Sequence, residues 1–170
     1  LTSSINTEQG IPRKLPPPKT DDTEEIKADI NKRNVLNVIV NFRDEIYVNG
    51  EVMMVSELKD KAKIFFSNPT NDPSLPVKEN KLIDGIGDFP VSKGVVSLTN
   101  DQGTSYNMYV QVQNELQRAV NELRDETALQ FFGKKFSTLD SASQRAITTA
   151  IPMSISEAPP MDYSKTGATN

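Results

Sequence analysis

Between Val95 and Leu123 the chain passes from a short apolar run (Val95, Val96, Ser97, Leu98) through a polar corner into a long stretch of helical periodicity. The corner is Asn100, Asp101, Gln102, Gly103, and the helix begins at Thr104, Ser105, Tyr106. A strand joined this directly to a long amphipathic helix puts a sheet and a helix in adjacent layers, so this block limits the fold more than any other. Tyr106, Tyr109, Val110, Gln113, Leu116, Val120 and Leu123 fall mostly on one stripe, with Gln111, Asn114, Glu115, Arg118, Asn121 and Glu122 opposite. Running from Ser105 to about Leu129, the helix would span roughly 37 Å. Tyr106 and Tyr109 are assigned to the core with their hydroxyls reaching outward. Asp101 offers itself as a ligand or proton carrier, but short acidic side chains at such corners more often accept backbone N–H bonds, and that role is favoured together with a turn at Gly103.

The remaining elements follow from periodicity and punctuation. Val35 to Val40 is rich in β-branched residues and reads as a strand. Phe42, Arg43 and Asp44 turn the chain, Glu45 to Val48 returns as a second strand, and Asn49 with Gly50 is a strong hairpin signal. Leu58, Ala62, Ile64 and Phe65 are spaced for a helix from Val55 to Ser67, with Ser56 as its N-cap and Pro69 as its stop. Asn68 to Lys93 carries enough proline and glycine to be expected as one long loop. After Gly133, Asp140 with Ala142, Ala146, Ile147 and Ala150 suggests a third helix ended by Pro152, and Met153 to Ser156 a closing strand. The fold class expected is α+β in two layers: a small mixed sheet with two to three helices packed on one face. The boundaries are 1–33 for a Pro-rich linker, 34–157 for the domain and 158–170 for a disordered tail. Within the linker, Gly10 to Pro18 favours extended polyproline geometry and would bridge roughly 28 Å.

Composition removes whole classes of function. The 170 residues contain no histidine and no cysteine, so the usual zinc ligands, the common neutral-pH base and all thiol nucleophiles are missing. A net charge of −4 with scattered lysines and arginines gives no basic stripe for nucleic acid. No run is long and apolar enough to cross a bilayer, and a chain opening at Leu1 without a signal pattern reads as an excised fragment.

Catalytic and ligand motifs are weak. Ser56 and Lys59 share the spacing of penicillin-recognising enzymes, and Lys165, Thr166, Gly167 imitates their third motif, but the middle motif is missing. Gly85 and Gly87 lack the third glycine and the following helix of a nucleotide loop. Asp21, Asp22, Glu24 and Glu25 lack the glycine and terminal glutamate of a calcium loop. No enzyme activity, cofactor or metal site is expected.

The order hairpin, helix, strand ending in Asp101, helix with Tyr106 at its start, closing strand resembles the periplasmic domain of the ExbD/TolR biopolymer transport family. The likeness covers most of Val35 to Glu157 and is most specific over Val95 to Val112. A second match is the linker pattern Ile11, Leu15, Pro16, with Arg13 where the family has an apolar residue. The long loop and the helix near Asp140 exceed the compact family domain and mark an enlarged branch. The resemblance implies the periplasmic part of a single-pass inner-membrane protein, whose membrane helix with its proton-carrying aspartate would precede Leu1. It implies a homodimer within a ring of ExbB-like subunits, driven by the proton-motive force and energising a TonB-like protein for outer-membrane transport. A TolR-like role in envelope integrity with cell-wall (peptidoglycan) binding, a small enzyme and a plain interaction module are the alternatives. For partner or dimer contact the expected segment is Met153, Ser154, Ile155 and Ser156, because a short closing strand leaves a free sheet edge.

Overall fold

The computed structural model describes residues 32–161. Among the described residues the strands and α-helices run in the order β1 (Val35–Val40), β2 (Ile46–Val48), β3 (Glu51–Met53), α1 (Val55–Ser67), β4 (Lys78–Ile83), β5 (Gly87–Ser92), β6 (Val95–Asp101), α2 (Tyr106–Phe132), α3 (Ser141–Ala150) and β7 (Ile155–Met161). The main sheet is mixed and ordered β3-β2-β1-β6-β7. Its β1–β2 and β2–β3 pairs are antiparallel, whereas β1–β6 and β6–β7 are parallel. The expected α+β class is therefore the one observed.

Alternation decides which face of the sheet is covered. Leu36, Val38 and Val40 are buried while Asn37 between them is exposed, so one face of β1 meets the helices. Ile46, Val48, Val96 and Leu98 join the same core. Helix α1 contributes Leu58, Ala62, Phe65 and Phe66, and α2 contributes Val112, Leu116, Ala119, Val120 and Leu123, all at helical spacing. Fully burying each of the larger aliphatic groups stabilises the fold by about 2 kcal/mol. Helix α2 ends where Gly133 adopts φ 70° and its N–H donates to the Leu129 carbonyl, three residues beyond the end expected from sequence.

Asn68 to Lys93 is not one loop. Its second half is the β4–β5 hairpin, turning through Gly85 at φ 92°. Two properties hide it in the sequence: only Ile83 of β4 is buried, so period-two alternation is missing, and Pro90 interrupts β5. The hairpin packs on α3 through Ile83, Val91, Ala146 and Ala150, with Phe89 and Phe132 alongside, forming a second small core. The turn at Asn49 and Gly50 connects β2 to a further short strand, β3, not expected from the sequence. The closing strand also differs, starting at Ile155 instead of Met153 and running through Met161. Ladder pairing with β6 extends it into a segment too rich in proline to look like strand.

Candidate partner-docking edge and its supporting corner

Strand β7 lies at one end of the main sheet, and among the described strands none pairs with its outer side. An unpaired edge presents a row of N–H and C=O groups suited to an added strand. The approach to this edge is fixed from several directions. The Val96 N–H donates to the Ser154 carbonyl at 2.9 Å, and Met153 and Ile155 pack against the main core. Arg124 of α2 donates from Nε to the Ile151 carbonyl at 2.9 Å and stacks over the Phe136 ring at 6.0 Å. Burial lowers the pKa of the Arg124 guanidinium from its ordinary value. Gln113 Nε2 reaches Glu157 Oε1 at 3.3 Å. Of the four residues Met153 to Ser156, Met153 and Ile155 are thus turned inward, and Ser156 with the neighbouring Glu157 is exposed.

At the carboxyl ends of β1 and β6 two turns are tied together. Thr104 Oγ1 lies 3.1 Å from the Val40 carbonyl and 3.0 Å from that of Asn41, and donates there. The Ser105 N–H donates to Asp44 Oδ1 at 2.9 Å, and Ser105 Oγ caps α2 by accepting from the Met108 N–H. Asn41 Oδ1 accepts from the Arg43 and Glu45 N–H groups, closing the β1–β2 turn around an Asp44 held at φ 61°. Gly103 sits at φ 94°, where a Cβ would meet that of Phe42 at 3.4 Å.

A carboxylate acceptor at this corner is Asp44, which the sequence marks only as a turn residue. Asp101 is buried, and its backbone carbonyl accepts from the Thr104 N–H. Asp44 was legible only as a turn residue, because its acceptor role depends on β1 and β6 pairing side by side. Tyr106 is 81 % exposed instead of entering the core. Its place at the first helical position points it off the end of the sheet, while Tyr109 one turn later packs inward with its hydroxyl accepting from Gln113 Nε2 at 3.1 Å. The register sets Met161 beside Asp101, so the corner and the far end of β7 adjoin. Ile11, Leu15 and Pro16 lie outside the described residues.

The Ser56–Lys59 spacing has no catalytic geometry. Ser56 is exposed inside the first turn, the N-cap position belongs to Met54, and the Met54 N–H donates to Glu57 Oε2. Lys59 Nζ is bound 2.6 Å from Glu122 Oε2 across the helix pair, and Lys63 bridges Glu122 and Glu126. Hydrogen bonding to Lys59 holds the Glu122 carboxyl below its ordinary pKa, and bonding to Glu126 holds the Lys63 ammonium above its own. A groove of about 370 Å³ between the β4–β5 turn and α3 is lined by the single carboxylate Asp84. Among the described residues no group of three or more acidic side chains is placed to hold a metal ion. No helix among them is long and apolar enough to cross a membrane.

Compared with known protein families, residues 1–124 match the model described as "ExbD: Biopolymer transport protein ExbD/TolR". No curated protein matches the chain. The matched span runs through β1 to β6 and ends within α2 at Arg124, the residue that fastens the following segment back onto the domain.

Proposed function

Because the chain belongs to the ExbD/TolR family of biopolymer transport proteins, we propose that it is the periplasmic domain of an ExbD-like subunit of a proton-motive-force-driven inner-membrane motor. In this reading a single membrane helix precedes Leu1, residues 1–33 link it to the domain, and the motor energises a TonB-like protein for outer-membrane transport. The observation that carries it is the family match over 1–124, and the edge of β7, with which no described strand pairs, supports a docking role. The domain works by binding: Met153 to Ser156 and the strand they open pair with a partner strand, from a TonB-like protein or from a second copy of the domain. Ile11, Leu15 and Pro16 act as a brace that holds the motor idle until the domain engages.

Crosslinking in the full-length protein tests the docking edge. Deleting Met153 to Ser156 abolishes partner crosslinking, whereas intact crosslinking after the deletion, with a monomer at every concentration, refutes it. Replacing Leu15 and Pro16 by Ala and Gly alters transport or proton leak, and unchanged values of both remove the brace. The family match serves an ExbD-like and a TolR-like role equally. Pelleting of the domain with peptidoglycan decides for the latter.

A further inference from the structure

The β4–β5 hairpin is a two-stranded sheet, and such a ribbon is barely stable without a third strand or a packed face. One of its sides is covered by α3, but no described strand pairs with the outer edge of β4, where Glu79, Asn80, Lys81 and Leu82 are all exposed. Leu82, at 82 %, is the most exposed of the large apolar side chains described.

Backbone chemistry fixes which groups face outward. Asn80 is paired with Pro90, which has no N–H to give, so this pair is a non-hydrogen-bonded one. The Lys93 N–H donates to the Val77 carbonyl, which puts Val77, Glu79, Lys81 and Ile83 on the inward-bonding phase. The N–H and C=O groups of Lys78, Asn80 and Leu82 therefore point away from β5. Side-chain charge follows the same phase: Glu79 and Lys81 share one face, with Lys81 Nζ 4.0 Å and Lys93 Nζ 3.6 Å from the Glu79 carboxylate.

We propose that the outer edge of β4 is a self-association surface, at which a second copy of this chain pairs antiparallel about a two-fold axis through Asn80. In this register Asn80 bonds Asn80 of the copy, Lys78 and Leu82 exchange bonds with Leu82 and Lys78, and each Glu79 stands opposite a Lys81. Cross-strand charge is complementary at both positions by symmetry alone. Leu82 lies along the aliphatic stem of the opposite Lys78, whose Nζ is already held 3.0 Å from the Asn68 carbonyl. The result is a four-stranded sheet, β5-β4-β4-β5, distinct from the β7 edge proposed above.

The test uses the whole chain and sedimentation velocity across a concentration series. Lys81→Glu puts like charges opposite one another and weakens association at least tenfold, and the double exchange Glu79→Lys with Lys81→Glu restores it. Asn80→Pro removes the central donor without touching the β4–β5 ladder, so association is lost while the melting temperature holds. The chain has no cysteine, so Asn80→Cys crosslinks to itself under mild oxidation, with α-carbons about 5.5 Å apart. Identical sedimentation of the wild type, the single and the double variant overturns the proposal. So does an Asn80→Cys chain that stays uncrosslinked. Loss of the β7 edge leaves these outcomes unchanged, which separates the two surfaces.

Discussion

Asn68, one residue past α1, should be the most sensitive polar side chain in the domain. It is 2 % exposed and holds φ 40°. Its Nδ2 donates to the Asp72 carbonyl at 3.2 Å and to the Pro76 carbonyl at 3.1 Å, and its Oδ1 accepts from the Asp72 N–H at 2.7 Å. The amide thus holds the whole descent from α1 to β4, which Arg33 grips from the other side through the Leu75 and Asp72 carbonyls. Asn68→Ala removes three bonds worth about 0.5 to 1.5 kcal/mol each and leaves the buried Pro76 carbonyl without its donor. It also places a Cβ-bearing residue without local hydrogen bonding in the left-handed region, at about 1 kcal/mol. The expected loss is about 3 to 4 kcal/mol, or roughly a 10 °C fall in melting temperature for a domain of this size. Asn68→Gly loses the same bonds but not the backbone strain, so it should be about 1 kcal/mol more stable than Asn68→Ala. Asn71→Gly, at an exposed neighbour with φ 55°, should change stability by under about 0.5 kcal/mol. The measurement is urea unfolding at neutral pH followed by far-UV circular dichroism. A loss below about 1 kcal/mol for Asn68→Ala would show that water replaces the amide and that the descent holds itself.

Three further outcomes are expected. At Gly94 a Cβ would stand 2.8 Å from Phe65 Cε2 and 3.0 Å from Pro76 Cγ, so Gly94→Ala overpacks the junction and costs about 1 to 3 kcal/mol by thermal melts. Arg124→Met keeps the aliphatic stem but frees the Ile151 carbonyl, so amide hydrogen exchange in β7 accelerates about tenfold while exchange in β1 is unchanged. For Glu122, whose pKa is depressed in the folded state, the sign is that of a stabilising carboxylate. Its contribution is full above the ordinary glutamate value of 4.5 and is lost as the pH falls through the lower folded value. Because the pair is partly exposed, Glu122→Gln at neutral pH costs under about 1 kcal/mol and the cost shrinks in high salt, read by denaturant midpoints with and without 1 M salt.

The main two-layer body was legible because its elements carry their own signals. Val35 to Val40 is β-branched and alternates in burial, α1 repeats at helical spacing, and Asp140 caps α3 by accepting from the Ser143 N–H at 3.2 Å. The β4–β5 hairpin was illegible because its stability comes from contact with α3, far along the chain, and its own residues are charged. The same reason hid Asp44, whose partner Ser105 belongs to another turn. Tyr106 was misplaced because stripe membership at the first turn of a helix does not guarantee a neighbouring layer to enter. Residues whose role is set by long-range pairing leave no local trace.

The order of pairing around β1 has a kinetic consequence. Val38 meets Val48 across a short turn, whereas Val35 meets Val95 only after α1 and the β4–β5 hairpin have been laid down, and β7 finds β6 later still along the chain. Loop closure is cheapest for the β1–β2–β3 meander, so it should be organised in the folding transition state and β7 should not. Substitutions such as Ile46→Val then slow refolding, while substitutions at Ile155 mainly quicken unfolding, a contrast that a chevron plot reads directly. The strand proposed above as a docking edge is, on this view, the last to be gained and the first to be surrendered.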